Sequence, residues 1–289
     1  MNKLTIKACP LCGGTHLERT LTCIDHYASG EVFHLCGCRD CGFIFTQDFP
    51  VEAEIGRYYE TPDYISHSDT KKGVMNSVYH WVRGYMLKRK ARLVAHEAHR
   101  KTGRLLDIGT GTGYFADTMK RGGWQVEAIE KHFGLEVKPD TALKDFEPDS
   151  FDVITLWHVM EHLEPLNEVW ETLNSLLTEK GVLIVAVPNC SSYDARKYGA
   201  YWAAYDVPRH LWHFTPGTIQ QLGSKHGFIL AERHPMPFDA FYISMLTEKN
   251  MRHSCPFVRG MITGTLAWLH ALVKKERSSS MIYVFRKKR

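Results

Sequence analysis

The apolar positions of this chain fall into short runs that are separated by stretches with helical spacing. Six runs predict buried strands, and they occupy residues 105–108, 125–130, 135–137, 153–157, 182–187 and 281–285. Residues 114–121 and 161–177 have the apolar spacing of helices. This alternation predicts an α/β fold with a Rossmann-like, seven-stranded, mostly parallel sheet and helices on both faces. Such sheets bind ligands beyond the carboxyl ends of their strands.

The first predicted strand carries one acid, Asp107, and ends in a glycine-rich turn. The glycines of this turn are Gly109, Gly111 and Gly113. A dinucleotide fingerprint would need its third glycine where Tyr114 stands, and the Gly-Lys-Ser/Thr sequence of a P-loop is missing. The next strand ends at Glu130, where a carboxylate can accept both hydrogen bonds of a ribose diol. The pattern therefore indicates a nucleoside-bearing ligand other than a dinucleotide.

Residues 104–113 resemble motif I of the class I S-adenosylmethionine (SAM) methyltransferases. Residues 157–163 resemble the segment after strand four in the small-molecule members of that group. The resemblance implies that SAM is the cofactor and that S-adenosylhomocysteine is the product. The expected cofactor contacts are Asp107, Gly109, Thr110, Gly111, Gly113, Glu130, Trp157, His158 and Tyr64. The H-x-x-E-H spacing of 158–162 would suit a zinc peptidase only if both histidines lay in one helix, whereas His158 ends a predicted strand.

Two C-x-x-C-G sequences near the N-terminus are a separate signal. Four thiolates at this spacing supply tetrahedral Zn²⁺ coordination without an open position, so we expect a structural zinc ribbon. The expected ligands are Cys9, Cys12, Cys38 and Cys41. Cys36 competes with Cys38, but only Cys38 completes a C-x-x-C pair. The absence of a secretory signal disfavours disulfides and leads us to expect a cytoplasmic protein.

The expected domains are a zinc-ribbon module (1–50), a helical linker or cap over the cofactor site (51–100) and a SAM-binding domain (101–289). A loop at 190–216 concentrates aromatic residues and histidines, and loops of this kind often hold functional residues. The chain as a whole resembles zinc-ribbon-bearing class I methyltransferases, among them enzymes that act on nucleotide-linked sugars. The resemblance implies methyl transfer to O, N or C of a small-molecule acceptor such as a sugar or a quinone. Because histidine titrates near neutral pH, the candidate catalytic residues are His158, His210 and His213.

The net charge of +4 on 289 residues is mild and does not indicate a nucleic-acid partner. Two other functions stay open: an RNA methyltransferase whose zinc ribbon reads RNA, and a non-catalytic scaffold with the methyltransferase fold. The apolar stretch 256–273 is short for a membrane span and contains Arg259 and His270, so no transmembrane segment is predicted. This stretch could pack on the domain, form a dimer contact or lie on a membrane surface.

Overall fold

The computed structural model of this chain describes residues 3–59, 74–130, 143 and 145–288, without the side chains of 74–81. Two predictions, the cofactor contact of Tyr64 and the weak strand at 135–137, lie outside the described residues. In chain order the described elements are β1 (Lys3–Leu4), β2 (Leu17–Ile24), β3 (Val32–Cys38), β4 (Ile44–Gln47), β5 (Phe49–Pro50), α1 (Glu52–Ile55), α2 (Val74–Glu97), β6 (Arg104–Ile108), α3 (Tyr114–Arg121), β7 (Gln125–Ile129), β8 (Phe151–Trp157), α4 (Leu166–Leu176), β9 (Leu177–Pro188), α5 (Tyr193–Tyr198), β10 (Trp212–His213), α6 (Pro216–Lys225), β11 (Phe228–Pro235), α7 (Asp239–Asn250), α8 (Pro256–Val273) and β12 (Ser280–Lys287).

A central sheet organises the described fold. Its six described strands have the order β11–β12–β9–β8–β6–β7. Strands β9, β8, β6 and β7 are parallel to their neighbours in this series, whereas β12 runs antiparallel to both β9 and β11. The predicted α/β class and the mostly parallel sheet are therefore confirmed. The prediction had seven strands, and β11 is a strand that the apolar pattern did not indicate.

Both faces of the sheet are buried, because successive side chains of a strand point to opposite faces. Strand β9 shows this directly. Leu183, Val185 and Val187 belong to the same buried cluster as Leu166, Trp170 and Leu173 of α4. Val182, Ile184 and Ala186 belong instead to the cluster that contains Phe115 and Met119 of α3. A continuously apolar strand is thus explained by burial between two helical layers.

The cysteine-bearing N-terminal segment shares a sheet with the central part of the chain. Strands β2, β3 and β4 form an antiparallel sheet, and its fourth strand is β10. Trp212 pairs with Phe45, and His213 pairs with Ile44. Phe43, Phe45 and Phe49 also belong to the buried cluster of the central sheet. The loop at 190–216 therefore completes the N-terminal module that the sequence placed at 1–50.

Arg209 joins this loop to the N-terminal module by a buried charge cluster. Its guanidinium donates hydrogen bonds to Asp206 Oδ1 (2.6 Å) and Asp25 Oδ1 (2.9 Å), and to the main-chain carbonyl of Tyr58 (2.8 Å). The side chains of Arg209 and Asp25 are fully buried. Burial alone would raise the pKa of Asp25 and Asp206, but the charge of Arg209 lowers both pKa values below their ordinary range. Each charge therefore depends on its partners to stay ionised.

A helical hairpin interrupts the connection between the last two strands of the sheet. Strand β11 ends at Pro235 and β12 begins at Ser280, and helices α7 and α8 fill the interval. Ala240, Ile243 and Ser244 of α7 are buried, as are Gly260, Gly264 and Ala267 of α8. None of the helices in the described part of the chain is long and apolar enough to cross a membrane.

The buried cluster of Arg209, Asp25 and Asp206 leads us to expect a large loss of stability when Arg209 is replaced. We expect Arg209→Met to lower the free energy of unfolding by about 3–5 kcal/mol at pH 7, because it leaves two carboxylates buried without a counter-charge. Urea denaturation measures this change. Since the pKa values of Asp25 and Asp206 are lowered in the folded state, this stabilisation is present at neutral pH. The stabilisation is lost as the pH falls through the lowered pKa values of the two aspartates, which lie below their ordinary pKa of 3.8.

Arg100→Met is the matched control. Arg100 forms an exposed ion pair with Asp152, and removing a pair of that kind costs less than about 1 kcal/mol. Equal losses for Arg100→Met and Arg209→Met would contradict the stabilising role of the buried cluster.

Candidate active site

The glycine turn after β6 is held against the end of β7. The backbone N–H groups of Gly109 and Thr110 donate to the carbonyl of Ile129, at 2.8 and 3.1 Å. All three glycines have positive φ: 71° at Gly109, 54° at Gly111 and 77° at Gly113. A Cβ at Gly109 would lie 2.1 Å from Val159 Cγ2, whereas one at Gly111 would meet no described atom within 4 Å. The turn is therefore closed towards Val159 and open at Gly111.

Two carboxylates flank this turn. Glu130 Oε2 accepts a hydrogen bond from the Gly111 N–H at 2.6 Å. Asp107 is buried, and its Oδ1 accepts from the hydroxyl of Thr155 at 2.7 Å, whereas Oδ2 has no hydrogen-bond partner among the described residues. Burial raises the pKa of Asp107 to about 6, although the Thr155 hydroxyl opposes the shift. A buried carboxylate oxygen without a donor and an open glycine backbone fit a ligand that brings a cationic amino group and a ribose.

A cavity opens beyond the carboxyl ends of the parallel strands, as the fold predicts. One side of the cavity is formed by the ends of β6 and β7 and by the glycine turn. This side contains Ile108, Gly109, Gly111, Ile129 and Glu130. The opposite side comes largely from the N-terminal segment and from the residues after β8. It includes Phe49, Pro50, Ile55, Tyr59, His162, Leu163 and Leu211. The lining also includes Glu52, His158, Glu164 and Arg209, so apolar surface and charged groups meet in this one cavity.

His158 lies at this cavity with both ring nitrogens near carboxylates. Its Nε2 is 3.1 Å from Asp239 Oδ2, and its Nδ1 is 3.5 Å from Glu161 Oε1. Burial alone would lower the pKa of His158, but Asp239 and Glu161 raise it to about 9. The imidazole is therefore protonated at neutral pH and carries a positive charge at the cavity wall.

His162, four residues after His158 in the chain, is held in the opposite charge state. Its Nδ1 lies 3.0 Å from the carbonyl of Arg209 and 3.1 Å from the hydroxyl of Tyr59. A carbonyl can only accept, so Nδ1 carries the proton and Nε2 keeps its lone pair. Burial and the nearby His210 lower the pKa of His162 to about 4. His162 is therefore neutral at physiological pH and lines the cavity.

The other predicted catalytic histidines have different surroundings. The His210 Nδ1–H donates to the carbonyl of Ala204 at 2.8 Å, and its ring lies edge-on to His162 at 4.5 Å. His213 is 4% exposed and bonds Thr46 Oγ1 through Nε2 at 3.0 Å, inside the sheet of the N-terminal module. Burial lowers the pKa of His213 to about 3. Among the described residues that line the cavity, neither His210 nor His213 is present.

Trp157, a predicted cofactor contact, ends β8 next to the glycine turn. Its ring packs edge-on against Phe115 at 5.3 Å, and Lys90 Nζ lies 4.3 Å from the ring centroid. Burial lowers the pKa of Lys90, and the nearby Asp107 and Asp239 oppose this shift. Trp157 is not among the described residues that line the cavity. Its ring contacts Phe115 and Lys90 at the end of β8.

The four predicted cysteine ligands converge on one point. The Cys9 and Cys41 sulfurs are 3.6 Å apart, as are those of Cys12 and Cys38. All four sulfurs lie within 4.8 Å of one another. Four sulfurs bound to Zn²⁺ at about 2.3 Å are separated by roughly 3.8 Å in a tetrahedron, so the spacing fits zinc.

The same turn builds each half of this cluster. Gly13 N–H donates to the Cys9 carbonyl, and Gly42 N–H donates to the Cys38 carbonyl, both at 2.8 Å. The two glycines have φ values of 77° and 75°, which explains the glycine after each C-x-x-C pair.

A second group of possible ligands, Glu161, His162 and His210, is spaced more widely. Their ligand atoms lie within 4.8 Å of one another, and Glu161 Oε1 is 4.0 Å from His210 Nε2. Ligands on one ion at about 2.1 Å would be roughly 3.0–3.4 Å apart, so this group does not match a shared ion without movement. The charge of the buried Glu161 is instead balanced by His158, which lowers the pKa of Glu161 although burial alone would raise it.

Several functional candidates escaped the sequence analysis because their partners are distant in the chain. Asp239 meets His158 across 81 positions (239 − 158), and no local pattern marks it. Phe49 and Leu211 line the cavity only because the N-terminal module packs against it. His162 and Glu161 stood in a recognisable H-x-x-E-H sequence, but their charge states depend on Arg209, His158 and His210.

Comparison with known proteins agrees with this architecture. The family model described as "Methyltransferase domain" matches residues 78–232, which is more than half of the chain. The ubiquinone biosynthesis O-methyltransferase of Rhodopseudomonas palustris (strain HaA2) is 25% identical over 158 residues, covering 47% of this chain and 62% of the relative. The protein of the same name from Caulobacter sp. (strain K31) is 33% identical over 130 residues, covering 38% of this chain and 52% of the relative. The chain thus spans less than two thirds of the curated relatives it matches.

One solved structure supports the fold. The phosphoethanolamine N-methyltransferase 2 of Haemonchus contortus, solved with phosphomonomethylethanolamine and S-adenosylhomocysteine, superimposes with a TM-score of 0.50 at 16% identity. The superposition covers 85% of this chain and 63% of that one. Together with the match to residues 78–232, the strand order and the glycine turn, these findings show that the chain belongs to the methyltransferase domain family and has the class I SAM-dependent methyltransferase fold.

Proposed function

We propose that this chain transfers the methyl group of SAM to a hydroxyl oxygen of a small, largely apolar acceptor. The observation that carries the proposal is a single cavity that is lined by the glycine turn with Glu130 and by apolar side chains beside a neutral histidine. The printed names of the curated relatives, which are O-methyltransferases, favour oxygen as the methylated atom.

In this proposal the residues around the glycine turn bind SAM. The Glu130 carboxylate accepts from the ribose hydroxyls in place of the Gly111 N–H, and Asp107 Oδ2 accepts from the amino group. The open backbone at Gly111 lets the cofactor approach without a side chain in its path. Thr110 and Gly113 complete the turn, and the sulfonium of bound SAM supplies an electrophilic methyl group. The protein then contributes mainly alignment of the acceptor with that methyl.

The acceptor lies against the wall that the N-terminal segment supplies. Phe49, Pro50 and Ile55 come from that segment, and Leu163 and Leu211 come from the main domain. The two cations in the described lining, Arg209 and His158, are already paired with carboxylates, and Glu52 and Glu164 also line the cavity. A phosphate-bearing sugar nucleotide would therefore add negative charge where the cations are already paired, which favours a flat or hydrophobic acceptor. The quinone class of acceptor therefore fits this cavity better than the sugar class.

His162 is the proposed general base. Its Nδ1–H is fixed by the carbonyl of Arg209, so the Nε2 lone pair is available to accept a proton. Because its lowered pKa makes His162 a weak base, it takes the hydroxyl proton as the oxygen bonds to the methyl group, when that proton has become acidic. His158 cannot take this proton at neutral pH, because Asp239 and Glu161 raise its pKa to about 9. We assign to His158 an electrostatic role instead, as a positive charge beside the forming oxyanion. His210 positions the ring of His162 through their edge-on contact.

The four cysteines are proposed to hold one structural zinc ion. Zinc would fix the two glycine turns and, through β4 and β10, the wall that carries Phe49. The N-terminal module therefore serves the acceptor side of the cavity, while residues 101–289 bind the cofactor. Residues 74–97, within the segment expected to cap the site, place Lys90 next to Asp107.

Changing Gly111 to Val tests the cofactor site. A β-branched side chain is strained at a φ of 54° and fills the open side of the turn, so we expect SAM affinity to fall by at least about 100-fold in calorimetry. Gly30→Val is the control, because Gly30 has a φ of 69° and equally open surroundings in the turn between β2 and β3. Micromolar SAM binding by Gly111→Val would refute the assignment.

A second test addresses the metal. Purified protein is expected to contain about one zinc ion per chain by elemental analysis, and Cys38→Ser is expected to lose it and melt at lower temperature. Cys36→Ser, two residues away on the same strand, is expected to retain zinc. A zinc content that follows Cys36 instead would show that the competing cysteine is the ligand.

A third test separates the histidines by their turnover. His162→Asn retains a donor for the Arg209 carbonyl but removes the Nε2 base, so we expect turnover to fall by about 100-fold with SAM affinity nearly unchanged. The assay uses labelled SAM with a panel of phenols, catechols and quinols. His213→Gln preserves a partner for Thr46 and is expected to retain turnover. The opposite pattern, with both variants folded, would identify His213 as the base.

A further inference from the structure

Helix α8 (Pro256–Val273) carries an apolar face that the rest of the described chain does not cover. Nine large apolar side chains of this helix are between 36% and 84% exposed. They are Phe257, Val258, Met261, Ile262, Leu266, Trp268, Leu269, Leu272 and Val273. Isolated exposed apolar residues are common on protein surfaces. A contiguous set on one helix instead marks a surface that binds a membrane or another molecule.

The packing of the hairpin fixes this face outward. The buried positions of α8 are small residues, and two of them touch the backbone of α7 directly. A Cβ at Gly260 would lie 2.4 Å from Met245 Cα, and one at Gly264 would lie 2.7 Å from Phe241 Cα. Such close approach is impossible for the large residues of the opposite face. The helix therefore cannot rotate to bury them against α7.

The charges that flank the helix are mainly positive, because the acid that follows it, Glu276, is paired with Arg233. Residues 256–275 contain no Asp or Glu, and the charge of Arg259 is offset by an ion pair with Glu248 at 2.9 Å. Arg252 precedes the helix, and Lys274 and Lys275 follow it, all three exposed. An apolar face bounded by cations at both ends is complementary to a layer of acyl chains below anionic headgroups.

A second copy of the chain complements this surface less well. An antiparallel pair of α8 helices would bring Arg252 of each copy towards Lys274 and Lys275 of the other. A parallel pair would place each cationic end of one copy beside the same end of the other copy. Either two-fold arrangement sets like charges together at the edge of the apolar contact, and the adjacent acid Glu276 is already paired with Arg233.

We propose that α8 binds the surface of a bilayer that contains anionic phospholipid. The helix is about 27 Å long at 1.5 Å per residue, and it lies flat because its small-residue face stays packed on α7. Its large apolar residues enter the headgroup–acyl boundary, while Arg252, Lys274 and Lys275 contact the phosphates.

The position of the hairpin connects this surface to the catalytic cavity. Helix α7 begins at Asp239, which contacts His158, and the exposed rings of Phe238 and Tyr242 lie at that same end. Tyr85 packs edge-on against Phe238 at 6.1 Å. On the proposed function, the hairpin that binds the bilayer therefore also carries the carboxylate that contacts a histidine of the cavity. Membrane binding itself does not depend on that function.

Vesicle flotation of the full, zinc-loaded chain tests the proposal without SAM or acceptor. Wild-type protein is expected to float with vesicles that contain phosphatidylglycerol, and less with phosphatidylcholine alone or at high salt. The double variant Ile262→Glu/Leu266→Glu is expected to partition at least about tenfold less, because two acidic side chains replace apolar contacts. Lys274→Glu/Lys275→Glu is expected to weaken binding only to the anionic vesicles.

Ile229→Glu is the matched control, because Ile229 is 52% exposed but lies on β11, outside the hairpin. This variant is expected to float like the wild type, and thermal melting confirms that all variants are folded. The proposal is overturned if the wild type does not float, or if Ile262→Glu/Leu266→Glu and Ile229→Glu behave alike. It is also overturned if sedimentation shows a vesicle-independent dimer that Ile262→Glu/Leu266→Glu dissociates.

Discussion

A buried arginine, Arg209, connects the N-terminal module to the central part of the described chain. Arg209 uses its guanidinium to bind Asp25 and Asp206, and its carbonyl to bind His162. The same residue therefore attaches the N-terminal module and fixes the tautomer of a histidine at the cavity. An arginine suits this position because its planar group offers several donors in fixed directions and stays charged when buried. The cost of burying three charges is offset only while all three are present.

The attachment through Arg209 places the cysteine-bearing module beside the cavity of the methyltransferase fold. The cofactor side of the cavity is built from the ends of β6 and β7, which any fold of this class provides. The opposite side needs an extra wall, and here Phe49, Pro50 and Tyr59 supply it. The pairing of β10 with β4 and the hydrogen bonds of Arg209 hold that wall in register with His158 and His162. On the proposed function, the module thus shapes the acceptor side of the cavity, and the ends of β6 and β7 form the SAM side.

The parts of the structure that the sequence predicted are those with local causes. The glycines at 109, 111 and 113 are required by a turn with positive φ, and the cysteine pairs are required by two identical turns, so short patterns reveal both. The sites that resisted prediction depend on contacts between distant positions. His213 is a candidate catalytic residue because of its residue type. In the structure it pairs with Ile44, bonds Thr46 and is buried. The charge of His158 depends on Asp239, which a helical insertion brings back to the cavity.

The central claim is that the cofactor and the N-terminal wall face each other across one cavity. A crystal structure of the zinc-loaded chain with S-adenosylhomocysteine tests it most directly. The account predicts that the ribose hydroxyls bind Glu130 and that the sulfur points towards His162 and Phe49, leaving room between them for an acceptor. A ribose bound elsewhere, or a sulfur directed away from the N-terminal wall, would contradict the account.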